Sequence, residues 1–225
     1  MSADLWPVVG AVLPQALAIA LSPVPLVCVL LTLMTPRPVR AALCVAVGWY
    51  GALAIATALV VVLTDTVADY SAETARDGVD VIRLAVGALF AVLAVRYWRA
   101  RPAPGAPPKR PRLLDRISTL SAAGLVVTGS VAALANLKNL PLILSAGSYL
   151  GAANLAPGPA TAATAAFVTA ASASVLLPIP IVLLVGVARI TPALKALESW
   201  LLTNLNLITA TILLLLAIIL ITQAF

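Results

Sequence analysis

Long apolar stretches separated by short polar ones make up most of the chain. Six of them read as membrane-spanning helices, at about 7–34, 38–64, 79–99, 118–150, 157–187 and 199–223. A helix needs roughly 20 apolar residues to cross about 30 Å of hydrocarbon, and each stretch meets that length. No segment shows the ten-residue alternation of an outer-membrane strand, so the fold class is an all-α integral membrane protein. Three of the stretches carry proline inside them: "LSPVPLVCVLL" in the first, "LANLKNLPLIL" in the fourth and "LLPIPIVLL" in the fifth. The composition agrees, with 62% hydrophobic and only 10% charged residues among 225 and a mean hydropathy of +1.10.

Charge orders the spans. Arg37 and Arg40 lie between the first and second, and Arg96, Arg99, Arg101, Lys109, Arg110, Arg112 and Arg116 between the third and fourth. Arg189 and Lys195 lie between the fifth and sixth. The other two loops are acidic (Asp65, Asp69, Glu73, Asp77 and Asp80) or uncharged. Basic loops stay in the cytoplasm, which puts both termini outside a plasma membrane crossed six times. Trp6, Trp98 and Trp200 fall near span ends, as an aromatic belt requires. The net charge of +6 therefore reports orientation and calls for no nucleic-acid partner. The amino terminus lacks the basic n-region of a signal peptide, so it is read as a retained first helix. Cys28 and Cys44 make no metal-ligand spacing and read as packing residues.

The proline-rich basic stretch 100–117 reads as a solvated linker between halves 1–99 and 118–225. Recruitment of anionic lipid is a second use for its charges. Three spans per half is an odd number, so the second half enters the membrane in the opposite sense, as an inverted-topology repeat. The proline-containing segments of the first and fourth spans are then positional counterparts, and both helices are expected to break or kink.

Ser22, Pro23 and Pro25 read as a helix stop followed by a restart, because proline is tolerated in a first turn after a capping residue. Asn136 and Asn139 are capping residues in the fourth span, followed by Pro141. Breaks at both places would turn half-helix amino termini, which attract anions, toward the bilayer centre. Lys138 would add a full charge at the same depth, where insertion costs about 2.5–3.5 kcal/mol. The expected binding set is Lys138, Asn136, Asn139, Ser22, Pro23 and Pro25. Bland alternatives stand beside it: a lysine stem that snorkels to an interface, prolines that only kink, and asparagines that only join helices. Pro178 and Pro180 should bend the fifth span as a hinge, together with Pro141 in the fourth. Thr203, Asn204 and Asn206 should contact neighbouring helices, the small-residue run 160–174 should pack closely, and Gly147 with Gly151 forms a common GxxxG.

The chain has no histidine, no Walker loop, no metal-ligand cluster, and no Asp or Glu well inside an expected span. No cofactor or metal is expected, nor an enzyme, since no nucleophile–base pair is visible.

The stretches "LSPVPLV", "LMTPRPVRAALCVAVGWYGA", "ALANLKNLPLIL" and "ITPALKALESWLLTNLNLITATILLLLAIILI" make the chain resemble the actinobacterial GAP/Sap family of glycolipid-addressing proteins, in the LysE transporter superfamily. The family's Asn-Pro-Lys-Asn signature maps onto Asn136, Leu137, Lys138 and Asn139, with leucine in place of proline. The resemblance implies transport of a cell-envelope lipid toward the outside. The expected partner is an anionic lipid or lipid-linked intermediate. Export of a small soluble metabolite, as elsewhere in the superfamily, and an accessory role in a lipid-synthesis complex are the alternatives. A homodimer is the expected assembly.

Overall fold

The computed structural model describes residues 5–68, 75–101, 117–136 and 138–222. Most of the basic linker, the centre of the acidic loop and Leu137 lie outside the described residues. Among those described the chain is helical, with no strand. Helix α1 (Leu5–Ala20) stops where Pro23 and Pro25 withdraw two backbone donors, and α2 (Pro23–Thr32) restarts at an angle of 59°. The 31-residue α3 (Pro38–Ala68) and α4 (Ala75–Arg99) follow. A 3-10 turn (Ile117–Thr119) leads to α5 (Ala122–Leu134), capped by the Ser121 side chain, which accepts from the Gly124 N–H at 3.2 Å. Helix α6 (Asn139–Gly151) leaves α5 at 75°. Next come α7 (Pro157–Ala171), the short α8 (Ala173–Leu176) and α9 (Pro178–Val185). Gly186, at φ +87°, turns the chain into the 36-residue α10 (Val187–Thr222).

Among the described residues two helices, α3 and α10, are long and apolar enough to span a membrane, and five spans result if each bent pair counts as one. The outward surface is apolar, with Leu184 at 87% and Trp6 at 79% exposure. A water-facing surface would not carry that pattern, and this is a multi-pass membrane protein.

Two expectations change. The basic loop between the fifth and sixth spans is helical, because α10 runs unbroken through Arg189 and Lys195. Pro192 lies close enough to the start of α10 for little of the helix to depend on its missing N–H. In the fifth span the 58° bend falls at Ser172, between α7 and α8, while Pro178 merely opens α9, where its fixed φ suits a first turn. Pro141 likewise sits in the first turn of α6, and Pro180 is exposed.

Helix α3 is the hub, packed on α5, α6 and α7. Helix α1 rests on α6 and α7, α4 lies along α10, and α10 also touches α2. Lipid offers no hydrophobic incentive for helices to associate, so close backbone approach does that work through small residues. A Cβ on Gly48 of α3 would lie 1.9 Å from the Val126 carbonyl oxygen, and one on Gly129 of α5 would lie 2.1 Å from that of Val45. The Ser130 hydroxyl donates across this crossing to the Gly48 carbonyl at 3.1 Å. Gly147 meets Val60, which places it in the α3–α6 contact.

Candidate functional site

The site is built where two broken helices meet. At the end of α1, the Ser22 N–H turns to the Ile19 carbonyl at 3.1 Å, so the Ala18 carbonyl loses its usual partner four residues on. The Lys138 ammonium, 2% exposed, donates to that Ala18 oxygen. A cation at a helix carboxyl end meets the negative pole of the helix dipole, which is favourable there. The lysine stem therefore runs inward across the chain to the first helix, where the ammonium is buried. No carboxylate among the described residues pairs with it.

The second break is stitched by its asparagines. Asn136 donates to the Ser22 hydroxyl at 2.8 Å, joining the two breaks directly. Asn139, fully buried, donates back to the Ala133 carbonyl at 2.8 Å and ties the end of α5 to the start of α6. Neither asparagine caps a helix through its side chain. Lys138 occupies the N-cap position of α6 without a side-chain cap bond, and Ser22 does the same for α2. The physical reason differs by residue: the Lys138 ammonium can only donate and so cannot cap a helix start, Ser22 and Asn136 bond each other across the two breaks, and Asn139 bonds back to the end of α5. The Asn139 carbonyl oxygen, Oδ1, is buried and has no hydrogen-bond partner.

The prolines limit what the helix termini can offer. Of the first four N–H groups of α2, Ser22 is engaged, and Pro23 and Pro25 have none, leaving Val24. Pro141 removes one from α6 in the same way. An anion at this junction would therefore be held chiefly by the ammonium, two of whose three N–H bonds are not used on Ala18.

The junction brings together Ser22, Pro23, Asn136, Lys138 and Asn139, with Pro25 buried in the same first turn of α2. It does not include Pro178 or Pro180. Thr203 and Asn204 bond back within α10, to Ser199 and Trp200. Asn206 reaches the Ala100 carbonyl at 2.6 Å and closes the end of α4.

Among the described residues five buried polar residues had no site role in the sequence reading, Thr32, Thr57, Thr128, Ser172 and Glu198, and three of them stand out. Glu198, assigned there to a loop, is 4% exposed on α10 among Leu194, Leu201 and Leu202, and the helical spacing of those leucines is the signal that would have found it. Thr57 and Ser172 are buried with unpartnered hydroxyls, Ser172 at the bend of the fifth span. Ser172 falls within the small-residue run 160–174 expected to pack closely, whereas nothing local marks Thr57. Among the described residues no three metal-ligating side chains come together.

No curated protein and no solved structure matches the chain. The sequence profile described as Sap, sulfolipid-1-addressing protein, matches residues 12–225, nearly the whole length. A multi-pass membrane protein built on these paired helix breaks, the chain belongs to the Sap family of sulfolipid-1-addressing proteins.

Proposed function

We propose that the protein is a transporter or flippase that moves an anionic cell-envelope lipid toward the outer side of the membrane. Lys138 and the adjoining half-helix termini near Ser22 and Asn136 hold the head group, while the apolar tails stay in the bilayer. The observation that carries this reading is a buried ammonium, without a carboxylate partner among the described residues, at the junction of two helix breaks. A buried charge of that kind is costly, and intramembrane charges typically mark a substrate path. The family description names a sulfolipid, and a sulfated head group is an anion. The Asn139 Oδ1, an unpaired acceptor, suits a hydroxyl donor beside that anion.

Six spans in two inverted halves are part of the same proposal. Swapping the halves exchanges first with fourth, second with fifth and third with sixth. The packing agrees with that exchange in part: the contact of α3 with α5 and α6 has its counterpart in the contact of α7 and α8 with α1 and α2, and α4 with α10 maps onto itself, whereas the contact of α10 with α2 is not matched by a comparable contact of α4 with α5 or α6. Alternating access would then rock one half against the other about the Ser22–Asn136 junction.

The test is Lys138→Gln in vesicles reconstituted with a labelled anionic lipid. Hydrogen bonds to a charged group contribute about 1.5–3 kcal/mol, so translocation should slow by about 10- to 150-fold. A folded variant that translocates at the wild-type rate would overturn the assignment.

A further inference from the structure

A second electropositive site lies at the other end of α2 and α5. A cavity of about 330 Å³ opens between the turn after α2 and the amino terminus of α5. Arg37 and Arg40 line it with the hydroxyl side chains of Thr35 and Ser121, while Ile117 and Leu125 make an apolar floor. Neither arginine forms an ion pair among the described residues. Both sit at the start of α3, where Arg37 precedes the first turn and Arg40 lies within it. Cations are disfavoured at that pole of a helix, and the start of α5 adds its own positive end to the same cavity. The Thr35 hydroxyl is spent on the Thr32 carbonyl at 2.7 Å, but two guanidinium groups, the Ser121 hydroxyl and an apolar floor form a concave site of opposite character to its ligand: an anion attached to something greasy.

We propose that this cavity binds the phosphate or sulfate head group of an anionic lipid, with the acyl chain laid over Ile117 and Leu125. The 10-residue α2 is about 15 Å long and the 13-residue α5 about 20 Å. Both run from this cavity to the Lys138 junction, so the cavity is the place where a head group is first collected. That role as an entry point rests on the transport reading; the binding itself does not.

Cys44 lines the cavity and Cys28 is fully buried, which supplies a native reporter. The full-length protein is placed in phosphatidylcholine nanodiscs, with or without dioleoylphosphatidic acid, and alkylation of Cys44 by a neutral maleimide is timed. Phosphatidic acid should slow the reaction at least about five-fold. Each arginine near an anionic head group is worth a factor of about five, so Arg37→Gln with Arg40→Gln should raise the half-protecting lipid fraction about thirty-fold. Arg37→Lys with Arg40→Lys should retain most of the protection. Arg96→Gln with Arg99→Gln removes the same charge outside the cavity and should leave protection unchanged, as should Lys138→Gln. Equal protection by phosphatidylcholine alone overturns the proposal, as does full protection of the double glutamine variant or equal loss in the Arg96/Arg99 pair. Inorganic phosphate protecting as well as the lipid would overturn the lipid assignment. Because Lys138→Gln keeps this site, a failed translocation test and a failed protection test are separate results.

Discussion

Gly48→Ala sets two well-measured effects against each other. Replacing glycine by alanine inside a helix ordinarily stabilises it by about 1 kcal/mol, because alanine loses less conformational freedom on folding. At Gly48 the new methyl carbon would lie 1.9 Å from the Val126 oxygen, 2.7 Å from its carbonyl carbon and 3.0 Å from its Cα, all backbone atoms that no rotamer change can move. An ordinary contact begins near 3.4 Å, so α5 would have to retreat by 3.4 − 1.9 = 1.5 Å at the crossing. Overpacking of this kind costs about 1–3 kcal/mol, which outweighs the propensity gain. The expected net loss is up to about 2 kcal/mol, or a fall in Tm of up to about 4–8 °C for a chain of this size. Gly51, one turn further along α3, has nothing within 4 Å of its would-be methyl, so Gly51→Ala supplies the control. Intrinsic tryptophan fluorescence on heating in detergent reads both variants. Gly129→Ala, aimed at the Val45 oxygen from the facing helix, should cost less in a Gly48→Ala background than alone, since the helices are already apart. Gly48→Ala matching Gly51→Ala in stability would refute the close crossing.

Three other outcomes follow from the same geometry. A double-mutant cycle of Ser22→Ala with Asn136→Ala, read by unfolding in mixed micelles, should give a coupling of about 0.6 kcal/mol and at most about 1.7, and zero coupling would deny the 2.8 Å bond between the breaks. Gly186→Ala should lower stability by roughly 1–2 kcal/mol because φ is +87° there, although its methyl would meet no neighbour; a thermal melt equal to wild type would show the turn to be otherwise. Maleimide applied to the folded protein in detergent should modify Cys44 and spare Cys28, which mass spectrometry of peptides will report, and labelling of Cys28 first would contradict its place in the core.

The stops in α1 and in the fourth span were legible because their causes are local. A proline lacks an N–H wherever it sits, and "SPVP" announces the restart at Pro23 from four residues alone. The fourth-span break was expected from Asn136 and Asn139 followed by Pro141, although leucine stands at 137, and α5 does end at Leu134 with α6 opening at Asn139. The roles of these residues were less legible. A capping serine or asparagine looks the same in sequence whether it bonds its own first turn or another helix, and only the approach of α1 to α6 gives Asn136 the hydroxyl of Ser22 and Lys138 the carbonyl of Ala18.

In a soluble domain the hydrophobic stripe of a helix would also say which face turns inward. Here it does not, since lipid is as apolar as the core and both faces of α3 and α10 read alike. The sequence by itself determined what depends on chain-local chemistry and on the apolar solvent: long helices rather than strands, and the stop and restart at Ser22–Pro25. The Gly48–Gly129 crossing, the bend at Ser172, the burial of Glu198 on an unbroken α10, and the cavity that gathers Arg37, Arg40 and Ser121 were decided by tertiary structure. Each needs groups far apart in the chain to meet at van der Waals or hydrogen-bond range, and that distance is set by how the helices pack, which no run of residues specifies alone.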